Sequence, residues 1–155
     1  MSKTECLSCK SLSGEKRISP GDIIYENASW QVEHAYPTGL ACWLVIVLKE
    51  HKEAMHELSS CQSYDLISII RRVTPILKKL TGCQKEYVLI LGEAPGHQHL
   101  HVHIIPRAED IPDEFKGVNI FQYLKVPQSQ TIPGTEIQKL CLSLKNEFKL
   151  AFQNQ

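Results

Sequence analysis

Residues 96–107, GHQHLHVHIIPR, place four histidines (His97, His99, His101 and His103) within seven positions and close on Ile104-Ile105-Pro106-Arg107. From His99 onward, histidine alternates strictly with a hydrophobic residue. A period of two is that of a β-strand, so His99, His101 and His103 share one face and Leu100, Val102 and Ile104 the other. Successive histidines on that face are about 7 Å apart, too far for three rings to meet one metal ion without a bend. Instead, each ring can hydrogen-bond to the backbone or to a neighbour, which fixes the nitrogen that carries its proton. The stretch reads as a polar row mounted on an apolar backing.

The neighbouring segments supply the rest of a sheet. Residues 86–92 form a second strand, joined to residues 99–105 through the Glu93-Ala94-Pro95-Gly96 turn. So short a connection predicts antiparallel pairing, because a parallel crossover needs a dozen or more residues. Residues 43–48, WLVIVL, are a continuous apolar run of strand length that ends in Lys49-Glu50-His51. Upstream, DIIYE and SWQVEHAY give two short strands split by Asn27-Ala28, with a loop at Pro37-Thr38-Gly39.

Between residues 64 and 80 the period changes. Leu66, Ile69, Ile70, Val73, Ile76, Leu77 and Leu80 recur at spacings of three and four, the mark of a long central helix. Ser60 or Ser63 is the expected cap, Gly82 the expected stop, and Pro75 an expected kink. A last helix is expected over residues 135–148, with Ile137, Leu140, Leu144 and Phe148 on one side. No internal repeat or long linker interrupts residues 1–155, which therefore read as one domain. The fold class is α+β: a mostly antiparallel sheet packed by a long central helix and a C-terminal helix.

Lysine plus arginine and aspartate plus glutamate both total 17, for a formal charge of zero. That balance gives no support to a nucleic-acid polymer as partner. With no apolar run long enough for a signal peptide or membrane span, no membrane association is expected and the cytoplasm is the expected location. The six cysteines are too scattered for a disulfide framework. Cys42, Cys61, Cys83 and Cys141 read as buried small hydrophobes. Cys6-Leu7-Ser8-Cys9 reads as half of a metal site or a redox pair.

The stretch His99-Leu100-His101-Val102-His103-Ile104-Ile105 resembles the signature of the histidine triad (HIT) family, H-φ-H-φ-H-φ-φ with φ hydrophobic. Pro106-Arg107 follows as it does in that family. Cys6 and Cys9 with Ser13-Gly14-Glu15 resemble the opening C-x-x-C and G-E segment of its zinc-containing bacterial-type hydrolase branch. Tyr25-Glu26-Asn27, Leu44-Val45-Ile46 and Lys49-Glu50-His51 fall at similar intervals. The likeness spans residues 6–107 and weakens over the tail, 108–155.

The resemblance implies a five-stranded HIT-like fold and a homodimer. It also implies a hydrolase that cleaves at the α-phosphate of a nucleotidyl small molecule, a dinucleoside polyphosphate or a nucleoside phosphoramidate. His101 would be the nucleophile, forming a covalent nucleotidyl-histidine that water releases. His103 would donate to the phosphate oxygens, with no catalytic metal. Cys6, Cys9, His51 and His99 would hold a structural zinc, bracing the strand beside His101. His56, five residues after His51, reads as exposed.

Three positions depart from the family pattern. Ala41-Cys42-Trp43 stands where many members have Gly-His before the apolar strand, which fits zinc taking over the bracing. Pro95 stands where many have a glutamine that touches phosphate or leaving group; His97, which alternation puts on the triad face, is the substitute for that contact. His34 stands where an acidic or amide residue often binds ribose. The expected nucleotide contacts are thus His34, Ile24, Tyr25 and Tyr36, with Glu33 read as a surface charge and Arg107 as structural. Val102 and His103, in place of the Pro and Gln of the larger sugar-nucleotide transferases, favour hydrolysis over transfer. A nucleotide-binding or partner protein without turnover is the alternative from another class.

Overall fold

The computed structural model describes residues 5–153. Its sheet contains β1 (Tyr25–Glu26), β2 (Trp30–His34), β3 (Leu44–Leu48), β4 (Lys85–Leu89) and β5 (His101–Arg107). The strands lie in the order β1-β2-β3-β5-β4, and every neighbouring pair is antiparallel. The fold is the expected α+β arrangement. Three helices complete it: α1 (Leu7–Leu12), α2 (Ser60–Thr81) and α3 (Gly134–Gln153).

The register sorts the sheet into two faces. Trp30, Val32 and His34 of β2 lie beside Leu48, Ile46 and Leu44 of β3, and the last two pair with Val102 and Ile104 of β5. This face packs on α2 through Leu66, Ile69, Val73, Ile76 and Leu77, and on α3 through Ile137, Leu144 and Phe148. On the reverse face Gln31 pairs with Val47 and Val47 with His101; Glu33 pairs with Val45, Val45 with His103, and His103 with Leu89. Alternation across paired strands therefore puts the triad on the side away from both long helices.

The cap of helix α2 is Ser59, one residue before the nearer of the two expected caps. Ser59 accepts from the Gln62 backbone while the Gln62 side chain accepts from Ser59 N, a capping box. Gly82 ends the helix at φ 66°, a left-handed conformation that costs glycine nothing. Pro75 sits within α2 and does not end it. Its ring removes the N–H that would bond the Arg71 carbonyl, and both residues are exposed, so water takes that bond.

The reverse face is not bare. Beyond β5 the chain turns through the 3-10 segments Asp113–Phe115 and Gly117–Leu124. Ile111 and Ile120 pack there on Ala35, Trp43 and Ile105. The backbone ties this cover to the 35–42 loop: Gly39 N donates to Tyr123 O at 2.8 Å and Ile132 N to Thr38 O at 2.9 Å. No helix among the described residues is long and apolar enough to cross a membrane.

Candidate active site

Helix α1 carries the C-x-x-C pair to the triad strand. Cys6 caps α1, its sulfur accepting from Cys9 N, and the first helical residue, Leu7, donates its N–H to Gly96 O at 2.9 Å. Gly96 has φ 81°, and a Cβ there would meet the Leu7 side chain at 3.0 Å. Glycine is required on both counts, and the close approach sets the two cysteines over His99.

Four donor atoms converge there. His99 Nδ1 lies 3.5 Å from each of Cys6 Sγ and Cys9 Sγ and 3.2 Å from His51 Nδ1, while Cys9 Sγ is 3.3 Å from His51 Nδ1. All four atoms fall within 4.8 Å of one another. A tetrahedral zinc with ordinary Zn–S and Zn–N bonds requires edges of about 3.5 Å between sulfur and nitrogen and about 3.3 Å between nitrogens. The donor set thus fits zinc in both chemistry and spacing. The distal ring nitrogens are suitably engaged: His99 Nε2 donates to Leu48 O at 2.6 Å, and His51 Nε2 lies 3.7 Å from Glu53 Oε1. Such outer partners fix which nitrogen is free to ligate.

One step along the strand, His101 uses the opposite nitrogen. Its Nδ1 donates to His99 O at 2.6 Å, which leaves the lone pair on Nε2. Burial and the nearby His97 push its pKa below the ordinary histidine value against the pull of that hydrogen bond, so the ring is neutral near pH 7. His103 is 8% exposed and accepts at Nδ1 from the Trp43 indole at 3.1 Å. Burial, with His101 and His97 close by, pushes its pKa down to about 3. The His101 and His103 rings stand nearly perpendicular, with centroids 4.8 Å apart. His97 is half-buried in the turn before the strand, within electrostatic reach of both. Pro95 is exposed.

The expected nucleotide contacts do not join this group. His34 points to the helix face and is 1% exposed. Its Nδ1 donates to Ala35 O at 2.7 Å and its Nε2 accepts from Cys42 N at 2.9 Å, so both nitrogens are spent on closing the loop between β2 and β3. Ile24 is a core residue, and Tyr25 stacks on Phe152 with centroids 4.2 Å apart. Tyr36 packs against the same helix-side core. All four thus have packing or hydrogen-bond partners on the helix side of the sheet. Replacing His34 with alanine is expected to strand two buried backbone groups and cost about 2–4 kcal/mol of stability, measured by denaturant unfolding. Substrate KM should hold steady in that variant under folding conditions, whereas a ribose contact would raise it.

Glu33 corrects another expectation. It is 6% exposed, on the triad face, with Arg17 Nη1 3.0 Å from its Oε2. Burial pushes its carboxyl up while Arg17 and the Gln31 amide pull it down. Gln31 Nε2 is buried and meets no acceptor in full hydrogen-bond geometry among the described residues, although its amide lies close enough to Glu33 to act on that carboxyl. Beside it, Cys9, Leu12, Ser13, Glu26 and Lys49 line a cavity of about 340 Å³. Arg107 Nη1 donates to Ala108 O, a structural role as expected. His56 is exposed as expected, but so is Cys61, which is no part of the core; Cys42, Cys83 and Cys141 are buried. The residues missed in the sequence are Trp43 and Phe121. Alternation from Val45 puts Trp43 on the triad face, a usable signal, whereas nothing local to the tail marks Phe121.

A comparison with models of known protein families finds no match for this chain. It is 29% identical over 133 residues to an uncharacterized HIT-like protein of Methanocaldococcus jannaschii, covering 77% of this chain and 96% of that one. It is 33% identical over 79 residues to an adenosine 5′-monophosphoramidase of Schizosaccharomyces pombe, covering 49% of this chain and 53%, about half, of that relative. Its fold matches the crystal structure of a Zn-bound histidine triad family protein from Mycobacterium smegmatis at a TM-score of 0.67. That match covers 97% of this chain and 99% of the other at 14% identity. The chain thus shares the HIT-like fold and is similar in sequence to HIT-like relatives.

Proposed function

We propose that this protein is a nucleotide hydrolase that cleaves at an α-phosphate through a nucleotidyl-histidine on His101. The observation that carries the reading is the set of tautomers. His99 holds its Nε2 proton on Leu48 O and His101 its Nδ1 proton on His99 O, which leaves one unprotonated, substrate-facing nitrogen, His101 Nε2. Kinship with an adenosine 5′-monophosphoramidase supports the substrate class, a nucleoside phosphoramidate or dinucleoside polyphosphate.

In the first step His101 Nε2 forms a bond to phosphorus, and the bond from phosphorus to the leaving nitrogen or oxygen breaks, its electron pair going to the leaving group. His97 stands where it can meet that leaving group or a phosphate oxygen, in place of the contact that Pro95 lacks. The positive charge on the imidazole ring is held through Nδ1–H by the His99 carbonyl. His103 donates from Nε2 to a phosphoryl oxygen. Water then attacks phosphorus, loses a proton to solvent and returns His101 to its neutral form. Cys6, Cys9, His51 and His99 would hold a zinc that would supply no chemistry to these steps but would brace the His99 ring, and with it the carbonyl that orients His101.

The nucleoside is assigned to the triad face, toward the cavity beside Gln31. In the sheet Gln31 lies two strands from His101, about 10 Å away, and Gln31 Nε2 can donate to the nucleoside. A homodimer belongs to the same proposal: β4 is a sheet edge, and Val88, Ile90 and Leu91 on and after it are exposed. A nucleotide-binding protein without turnover is the second reading, favoured by Pro95.

The test is to trap the intermediate. Protein mixed with an adenosine phosphoramidate and denatured in alkali, where a phosphorus–nitrogen bond survives, is expected to gain the mass of one nucleotidyl group. Peptide mapping should locate it on His101. Turnover without any such adduct, or an adduct on another residue, would sink the mechanism.

A further inference from the structure

Trp43 precedes β3 by one position and shares the face of Val45 and Val47. Val45 pairs with His103 and Leu44 with Ile104, so Trp43 stands opposite Ile105, diagonal to His103. That diagonal is within reach of a large aromatic side chain. The indole is completely buried, and its backbone is fixed by the bond from Ala35 N to Trp43 O at 2.8 Å. Phe121, arriving from the tail, meets both rings edge-on, 5.4 Å from Trp43 and 4.9 Å from His103.

An indole nitrogen is a donor and never an acceptor, whereas each imidazole nitrogen is one or the other according to where the proton sits. A proton on His103 Nδ1 would put two N–H groups head to head across 3.1 Å. We propose that Trp43 is a positioning residue, whose indole N–H holds His103 in the Nε2–H tautomer and aims that proton at the substrate's phosphoryl oxygen. The inference deepens the proposed hydrolase reading and rests on it for the role of His103. It adds that donor strength is set from the far side of the ring, by a residue that never touches substrate. The cationic form of His103 would have to break the indole bond to exist. His103 therefore acts as a neutral donor throughout, and does not serve as the acid that protonates the leaving group.

The test reads the tautomer with no substrate present. In long-range 1H–15N spectra of the metal-loaded protein, His103 is expected to show an unprotonated, hydrogen-bonded Nδ1 and a protonated Nε2. Trp43→Phe, which keeps the aromatic bulk, should move the His103 nitrogen shifts toward an exchange average. In the same variant kcat should fall about tenfold with little change in KM, the size of one hydrogen bond. A wild-type His103 protonated at Nδ1 would overturn the proposal even if the variant fails to fold. So would Trp43→Phe spectra and kcat identical to wild type. Failure of the hydrolase reading shows separately, as unchanged turnover in a His101 variant.

Discussion

Replacement of His101 by alanine is expected to lower turnover by at least about 10³-fold, the scale of losing a covalent nucleophile that works as part of a unit. The side chain is only partly buried and its one fixed bond is to a backbone carbonyl within its own strand, so the strand has little else to lose. Zinc content and melting temperature should therefore stay close to wild type. That combination separates a chemical role from a structural one. The variant and parent would be assayed side by side on phosphoramidates and dinucleoside polyphosphates of adenosine and guanosine, with zinc quantified in both. Equal rates would remove His101 as nucleophile.

The second large effect is on stability. A ligand that binds only the folded chain adds about 4 kcal/mol when present a thousandfold above its Kd. For a chain of this size that is about 10 °C in melting temperature. Chelation, or Cys9→Ser, is expected to produce a loss of that order in calorimetry, accompanied by release of one zinc per chain. The cause is specific. Two histidine nitrogens 3.2 Å apart and two sulfurs, all within 4.8 Å of one another, are four ligands that zinc would link and that its removal would release. A protein that contains no zinc as purified and melts unchanged after chelation would refute the metal site.

How far the sequence could be read follows from how local each signal is. The strand that carries His101 and His103, the face those two share, and the stop at Gly82 all rest on spacing within a few residues and stand in the structure, although the strand runs from His101 to Arg107 and His99 lies just before it. The antiparallel hairpin of β4 and β5 was legible from the length of one turn. Cys6 and Cys9 were legible from spacing as half of a metal site or a redox pair, but their union with His51 and His99 only through family resemblance, since nothing local brings position 6 to position 99. The expected nucleotide contacts do not gather at the triad, for a geometric reason. His34 follows Glu33 by one position, and one step along a strand exchanges the faces of the sheet. The residue that matches by distance from Pro37 therefore points into the helix-side core. Glu33 misled for a related reason: its partner Arg17 arrives from a connector with no regular structure. Phe121 reaches the triad from a segment whose only pattern is its prolines and apolar residues.

The metal cluster has a further consequence, which concerns the chain as it folds. Its ligand pairs are separated by 42, 48 and 93 residues, so one ion would close loops that span more than half of the polypeptide. While the ion is held, such a link ties distant parts of the folded chain together as a long-range disulfide does. Unlike a disulfide, the link depends on metal concentration and not on redox potential. The ligands also meet only once β3 and β5 are side by side, because His51 follows one and His99 precedes the other. Ligation is thus a late event that seals a sheet already built. Zinc supply would govern how long a finished molecule lasts more than how fast it forms.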